Sequence, residues 1–244
     1  MVPLPVLNVA RVDAVFDTNI VLEIPTLVDL DRASASSRLM ERAVVPWRRN
    51  RARASLSAAW LCHVEGLAAQ CLRHDVDELL KRKAPARSAR SASPWFFTWF
   101  LLDHVLTDWK FCTSEDAAAS DLNLGGNARD GLLVSIAKGR NAPLVTHEGK
   151  PGGAIDKASK RLGVPVMTAS EWIAHRGHDE RKLARALLDA AEAAMPRFLI
   201  TRGDYADDAA VRTCWDYLAL LEMILDPTIE LKFKDPLDGW RLFG

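Results

Sequence analysis

Short apolar runs that break off at polar turns alternate along this chain with stretches whose apolar residues recur every three or four positions. The first run, residues 12–16, stops at Asp17-Thr18-Asn19, and apolar residues then return at helical spacing. The pattern predicts a strand over 12–16, helices over 19–31 and 36–45, and a long helix over 55–80 with Leu56, Trp60, Val64, Leu67 and Leu72 on one face. Pro94 opens an aromatic-rich helix, and Trp109 to Thr113 alternates as a strand. Helix 128–139 carries Leu132, Leu133, Ile136 and Ala137 on its apolar face, and Ala142 to Thr146 reads as a strand. Helix 154–162 ends at Gly163, and Val164 to Met167 is another short strand. Thr168 and Glu171 have capping-box spacing for helix 171–176. Strand–helix alternation through residue 176 argues for an α/β fold, a parallel sheet flanked by helices. Amphipathic helices over 179–195 and 207–225 follow, separated by Pro196 and Gly203. The chain thus divides into an α/β domain, 1–177, with a basic insertion at about 81–94, and a helical C-terminal extension, 178–244.

Composition narrows this picture only a little. The chain has 244 residues, 49% of them hydrophobic, enough for a sizeable core. Thirty-two basic residues balance 32 acidic ones, so whole-chain charge gives no argument for a polyanionic partner. The balance is uneven: residues 179–244 hold 13 acids and 9 bases, a net of −4, which leaves +4 on residues 1–178. Cys62, Cys71, Cys112 and Cys214 form no C-x-x-C pair and have no zinc-ligand spacing, so they read as buried thiols in a reducing compartment. The N-terminus lacks the basic and apolar regions of a signal peptide, and no apolar run nears the roughly 20 residues of a membrane span. A cytoplasmic protein without membrane contact is expected.

Candidate chemistry lies in four acids. Asp17 ends the first strand, where ligands bind in open α/β sheets, although Asp is also a good helix N-cap. Glu65 sits in an apolar helical stretch, where a carboxylate is costly unless paired or bound to a cation. Asp130 lies in the first turn of helix 128–139, where it also complements the helix dipole. Glu148 follows the strand ending at Thr146, repeating the Asp17 arrangement. Clustered carboxylates repel and raise each other's pKa. A divalent cation relieves that conflict, and an all-oxygen site favours Mg2+ or Mn2+ over zinc. Arg48, Arg49, Arg51 and Arg53 form a compact basic cluster, either a solvated loop or a loop that contacts phosphate.

Val15-Phe16-Asp17-Thr18-Asn19, Glu65 within its helix, the segment Asn127 to Ala137 around Asp130, and Ala142 to Glu148 together resemble the PIN-domain pattern. Val164 to Thr168 with Glu171-Trp172 resembles that family's closing strand and helix, and the likeness spans roughly residues 12–175. The resemblance implies a three-layer α/β/α fold and a metal-dependent endoribonuclease, a family that includes the toxin ribonucleases of bacterial toxin–antitoxin pairs. Residue by residue, it implies Asp17, Glu65 and Asp130 as the first three metal-binding acids, with Asn19 and Thr146 as supporting polar groups. Glu148 stands where the family has Asp, on a longer arm, and Asp156 or Asp121 are alternative oxygen donors. An RNA substrate is implied, and an antitoxin-like protein partner is compatible with it; exposed faces on the two-helix extension make a homodimer reasonable. The main rival is a catalytically silent PIN-like module that binds RNA or protein. A haloacid-dehalogenase-type phosphatase needs a second Asp where Asn19 stands. No G-x-G-x-x-G or P-loop follows a strand to support nucleotide binding.

Overall fold

A computed structural model describes residues 12–17, 19–20, 46–72, 100–106, 110–112, 128–202 and 208–225. Five strands pair in parallel: β1 (Ala14–Phe16), β2 (Ala69–Leu72), β3 (Lys110–Cys112), β4 (Leu144–Val145) and β5 (Val166–Met167), in the order β3-β2-β1-β4-β5. The described helices are α1 (Pro46–Glu65), α2 (Ala128–Arg140), α3 (Ala154–Leu162), α4 (Ala169–His175), α5 (Glu180–Arg202) and α6 (Asp208–Leu225), with a short π-helical segment at Leu101–Val105.

Alternation along the strands makes three layers. Ala14, Phe16, Ala69, Cys71 and Val145 face one core, shared with α1, α4, α5 and α6. Val15 and Leu144 face a second core, built with α2 and α3. Successive strand residues point to opposite faces, so a strand covered on both sides must be apolar throughout. Ala14, Val15, Phe16, Leu144 and Val145 are all fully buried. The fold is therefore a three-layer α/β/α arrangement. From β1 the chain steps to β2 past α1 on one face; from β4 it steps the other way to β5 past α3 on the other. The right-handed rule for parallel crossovers demands this change of face when the direction reverses.

Three features of the sequence reading change. The helix expected over 55–80 ends at Glu65, and Ala69–Leu72 is the second strand. The cause is Gly66, whose φ of +60° starts a left-handed stop. Leu67 N–H donates to the Cys62 carbonyl at 2.9 Å and Gly66 N–H to the His63 carbonyl at 3.2 Å, the paired bonds of a Schellman cap. Gly163, at φ +66°, ends α3 in the same left-handed conformation, as its position predicts. The arginine cluster, read as a loop, lies inside α1, which opens on Pro46. Proline is favoured in the first helical turn, and the buried Ala52, Ala54 and Leu56 pack the turns that follow into the core. Third, α5 runs through Pro196 instead of breaking there. A mid-helix proline costs about 3 kcal/mol. Met195, Phe198 and Leu199 are each at most 3% exposed, and burial of such side chains is worth roughly 1.5–3 kcal/mol apiece, enough to keep the helix whole.

Asn19 and Ile20 are helical as expected; residues 21–31 and 36–45, the insertion 81–94, most of the aromatic stretch 95–102, Asp121 and the tail from Asp226 lie outside the described residues. The capping box at Thr168 forms as predicted: Glu171 N–H donates to Thr168 Oγ1, and Thr168 N–H to the Glu171 carboxylate. Among the described residues, the helices after residue 178 share the core of the α/β domain. Leu187, Leu188, Ala191, Leu218 and Leu221 join the same cluster as Phe16, Leu56, Leu61 and Trp172, and α5 packs along α1. Among the described residues, no helix is long and apolar enough to cross a membrane.

Candidate functional site

Strand order reverses its direction of growth between β1 and β4. Helices α1 and α3 cover opposite faces of the sheet, so the carboxyl ends of these two strands are a topological switch point, the usual ligand position in open α/β sheets. The residues that emerge there are Asp17 from β1 and Thr146-His147-Glu148 from β4. Asp17 is only 5% exposed and Thr146 1%. Burying a carboxylate is costly unless hydrogen bonds replace its water. Asp17 Oδ2 accepts from Thr146 Oγ1 at 2.6 Å and from Asn19 Nδ2 at 2.7 Å. Asn19 Nδ2 also reaches Thr146 Oγ1 at 3.1 Å, and its Oδ1 accepts from the His147 N–H at 3.0 Å. Asp17, Asn19 and Thr146 thus form one bonded unit spanning the two strand ends.

Helix α2 runs antiparallel to the strands, so its first turn lies at the same edge and its last turn leads into β4. Asp130 is in that first turn. Burial raises its carboxyl above the ordinary range, and the negative charge of Glu148 raises it further. That coupling places Glu148 near Asp130. Asp17, Asp130 and Glu148 therefore share the carboxyl edge of the sheet.

Glu65 does not join them. It closes α1 just before β2, so it stands at the opposite, amino edge of the sheet. There Arg176 Nη2 donates to its Oε2 at 3.0 Å, and His178 Nε2 lies 2.5 Å from Oε1. Ser55, ten residues earlier in α1, is the one that reaches the β4 end. Ten residues of helix rise about 15 Å, far beyond the 2–3 Å of any metal–oxygen bond. Glu65 as a metal ligand is thus corrected to a partner in a surface ion pair. Its carboxyl is held below the ordinary range, first by the hydrogen bond from Arg176 and then by that from His178. A depressed carboxyl pKa contributes stability that is complete above the unfolded value near 4.5 and is lost as pH falls below it. Glu65→Gln is accordingly expected to lower the urea midpoint at pH 7, with the difference from the parent protein shrinking as pH falls through the depressed carboxyl pKa.

The basic cluster also separates. Arg53 Nε is 2.7 Å from Glu180 Oε1, and its Nη2 donates to Asn50. Arg49 is buried. Arg51 turns to the candidate site, where its Nη2 donates to the His147 carbonyl at 3.1 Å. The side chain of Arg48 lies outside the described residues. Asp156, the alternative donor, is engaged locally by the Gly152 N–H and by Lys160, both at 2.8 Å.

Two residues given no role in the sequence reading contribute to the site. The Ser55 hydroxyl, fully buried, lies 2.9 Å from His147 Nε2. Burial, followed by the positive charge of Arg51, pushes His147 down to about 4, so its ring is neutral at pH 7. A serine ten residues before Glu65 in an alanine-rich helix carries no sequence pattern of its own, and only the pairing of α1 with β4 reveals it.

Among the described residues, no three His, Cys, Asp or Glu side chains are grouped closely enough to form a metal cage. Mg2+ does not require one, since it commonly binds through one or two carboxylates and keeps several waters. Asp130 and Glu148, whose charges interact, at the same edge of the sheet as the buried Asp17, are the acids available to such an ion. Compared with known proteins, the chain matches no family model, no curated protein and no solved structure.

Proposed function

We propose that the chain is a PIN-like, metal-dependent endoribonuclease acting at the crevice between β1 and β4. One observation carries the reading: Asp17, Asn19 and Thr146 form a hydrogen-bonded unit at the strand-order reversal, where Glu148 also approaches Asp130. A bound Mg2+ or Mn2+ would supply a water of lowered pKa and a counter-charge for the scissile phosphate. Asp17, Asp130 and Glu148 are the residues that would hold it. Thr146 and Asn19 keep the Asp17 carboxyl oriented through the hydrogen bonds to its Oδ2. Arg51, at the rim, offers the phosphate backbone a cation, which makes RNA binding salt-sensitive.

The silent-module reading has its own support in the hydrogen bonds that already occupy Asp17 Oδ2. Metal removal separates the two. Labelled single-stranded RNA is expected to be cut by the full chain in Mg2+ or Mn2+, to survive intact in EDTA, and to be cut again when Mn2+ is restored. RNA that is bound equally in EDTA and Mn2+ and never cut would make the chain a binding module.

A further inference from the structure

Alternation does not stop where β4 ends. Leu144 faces the α2–α3 core, and Val145 the core of α1. Thr146 turns back to Asp17 and Asn19, His147 reaches α1, and Glu148 approaches α2. His147 is the peg on one face that determines where Glu148 emerges on the other. Three of its polar groups are held by other elements: Nε2 lies against Ser55 Oγ at 2.9 Å, the N–H donates to Asn19 Oδ1 at 3.0 Å, and the carbonyl accepts from Arg51 at 3.1 Å. Glu148 N–H then donates to Thr146 Oγ1 at 3.0 Å.

The geometry points to Ser55 and His147 as positioning residues of the crevice, a buried helix-to-loop hydrogen bond that turns Glu148 toward Asp130. The loop's fixation stands on these contacts alone, whereas its consequence for the metal rests on the nuclease reading. Ser55 lies in α1, which packs on the opposite layer from α2, so this contact, together with that of Arg51 to the His147 carbonyl, ties the first helix to the loop that carries Glu148. Groups that orient metal ligands from behind commonly change affinity ten- to a hundredfold when removed.

The test uses the full chain with three substitutions. His147→Leu keeps the bulk of the side chain but cannot bond Ser55, His147→Gln can place a side-chain nitrogen near the same point, and Ser55→Ala removes the partner from the other side. Amide hydrogen exchange at His147 and Glu148 reports the loop without any metal. Exchange there is expected to rise about five- to tenfold in His147→Leu and in Ser55→Ala, the scale of one lost hydrogen bond. It should stay near the parent rate in His147→Gln, with the amides of Leu56 and Leu61 in α1 unchanged throughout. Mn2+ affinity, read by titration calorimetry, should fall about tenfold in His147→Leu and be largely restored in His147→Gln. Unchanged loop exchange in both His147→Leu and Ser55→Ala, or equal acceleration in the Gln and Leu variants, overturns the positioning role. So does an unaltered Mn2+ affinity in His147→Leu. A parent protein that takes up no Mn2+ while the exchange pattern holds sinks the nuclease reading and leaves the clamp standing.

Discussion

Asp17→Asn is expected to cut metal-dependent RNA cleavage about a hundred- to a thousandfold, the scale of losing one preorganised electrostatic group in an active site, while Glu65→Gln leaves it unchanged. Asparagine keeps the size of Asp17 and one oxygen to accept from Thr146 and Asn19, which now hold Oδ2 at 2.6 and 2.7 Å. What it loses is the negative charge at the end of β1. The fold therefore survives, and the loss falls on the cation and on the phosphate chemistry. Glu65 offers the sharper contrast. In the sequence it has the same standing as Asp17, a carboxylate at a position where the family pattern has one. In the structure it is tied to Arg176 and His178 at the other edge of the sheet. Single-turnover cleavage at saturating Mn2+, measured on both variants side by side, checks the pair. Equal activity in Asp17→Asn and the parent would remove the crevice as the catalytic centre, and a large loss in Glu65→Gln would move that centre to the amino edge.

The two acids differ in how far sequence could place them. Asp17 follows an apolar run directly, so its position at a strand's carboxyl end is written in the order of residues. Asp130 and Thr146 were equally legible, one in the first turn of a helix with clear apolar spacing and the other at the end of a strand. Glu65 required knowing where α1 stops and which way it runs. The apolar spacing of Leu56, Trp60 and Val64 continues through Leu67 and Leu72, so periodicity alone carries the helix past residue 66. The Schellman cap at Gly66 ends it, and the next apolar residues become β2. A glycine in the middle of a helical pattern was the available sign. Once α1 ends there, a carboxylate on its last turn must lie at the edge where β2 begins. The basic cluster failed for the opposite reason: charge density suggested a loop, whereas it forms the start of α1, whose residues from Ala54 to Cys62 are buried all round. Arg53 then meets Glu180 of α5, a residue 127 positions away that no local pattern could pair with it.

Trp172→Ala is expected to cost about 3–5 kcal/mol, the range for removing a large buried aromatic from a core. Trp172 is 1% exposed and lies edge-on to Phe16, with ring centroids 5.4 Å apart and planes at 82°. An edge-to-face aromatic pair adds about 0.5–1.5 kcal/mol beyond burial alone, so Trp172→Phe should recover a substantial part of the loss. Phe16 is the last residue of β1 and Asp17 is the next, so the ring that anchors the strand end also sets the depth of the candidate carboxylate. Trp172 sits in α4, which packs on β5, α1 and α5, and its removal opens a cavity where the sheet meets both the first helix and the C-terminal extension. For a chain of this size each kcal/mol moves the melting temperature by roughly 2–4 °C, so a drop on the order of 10 °C is the expected reading in a thermal melt, with urea titration giving the free energy. A loss below about 1 kcal/mol would mean that Trp172 is not packed into the central core, and that Phe16 holds the strand end without it.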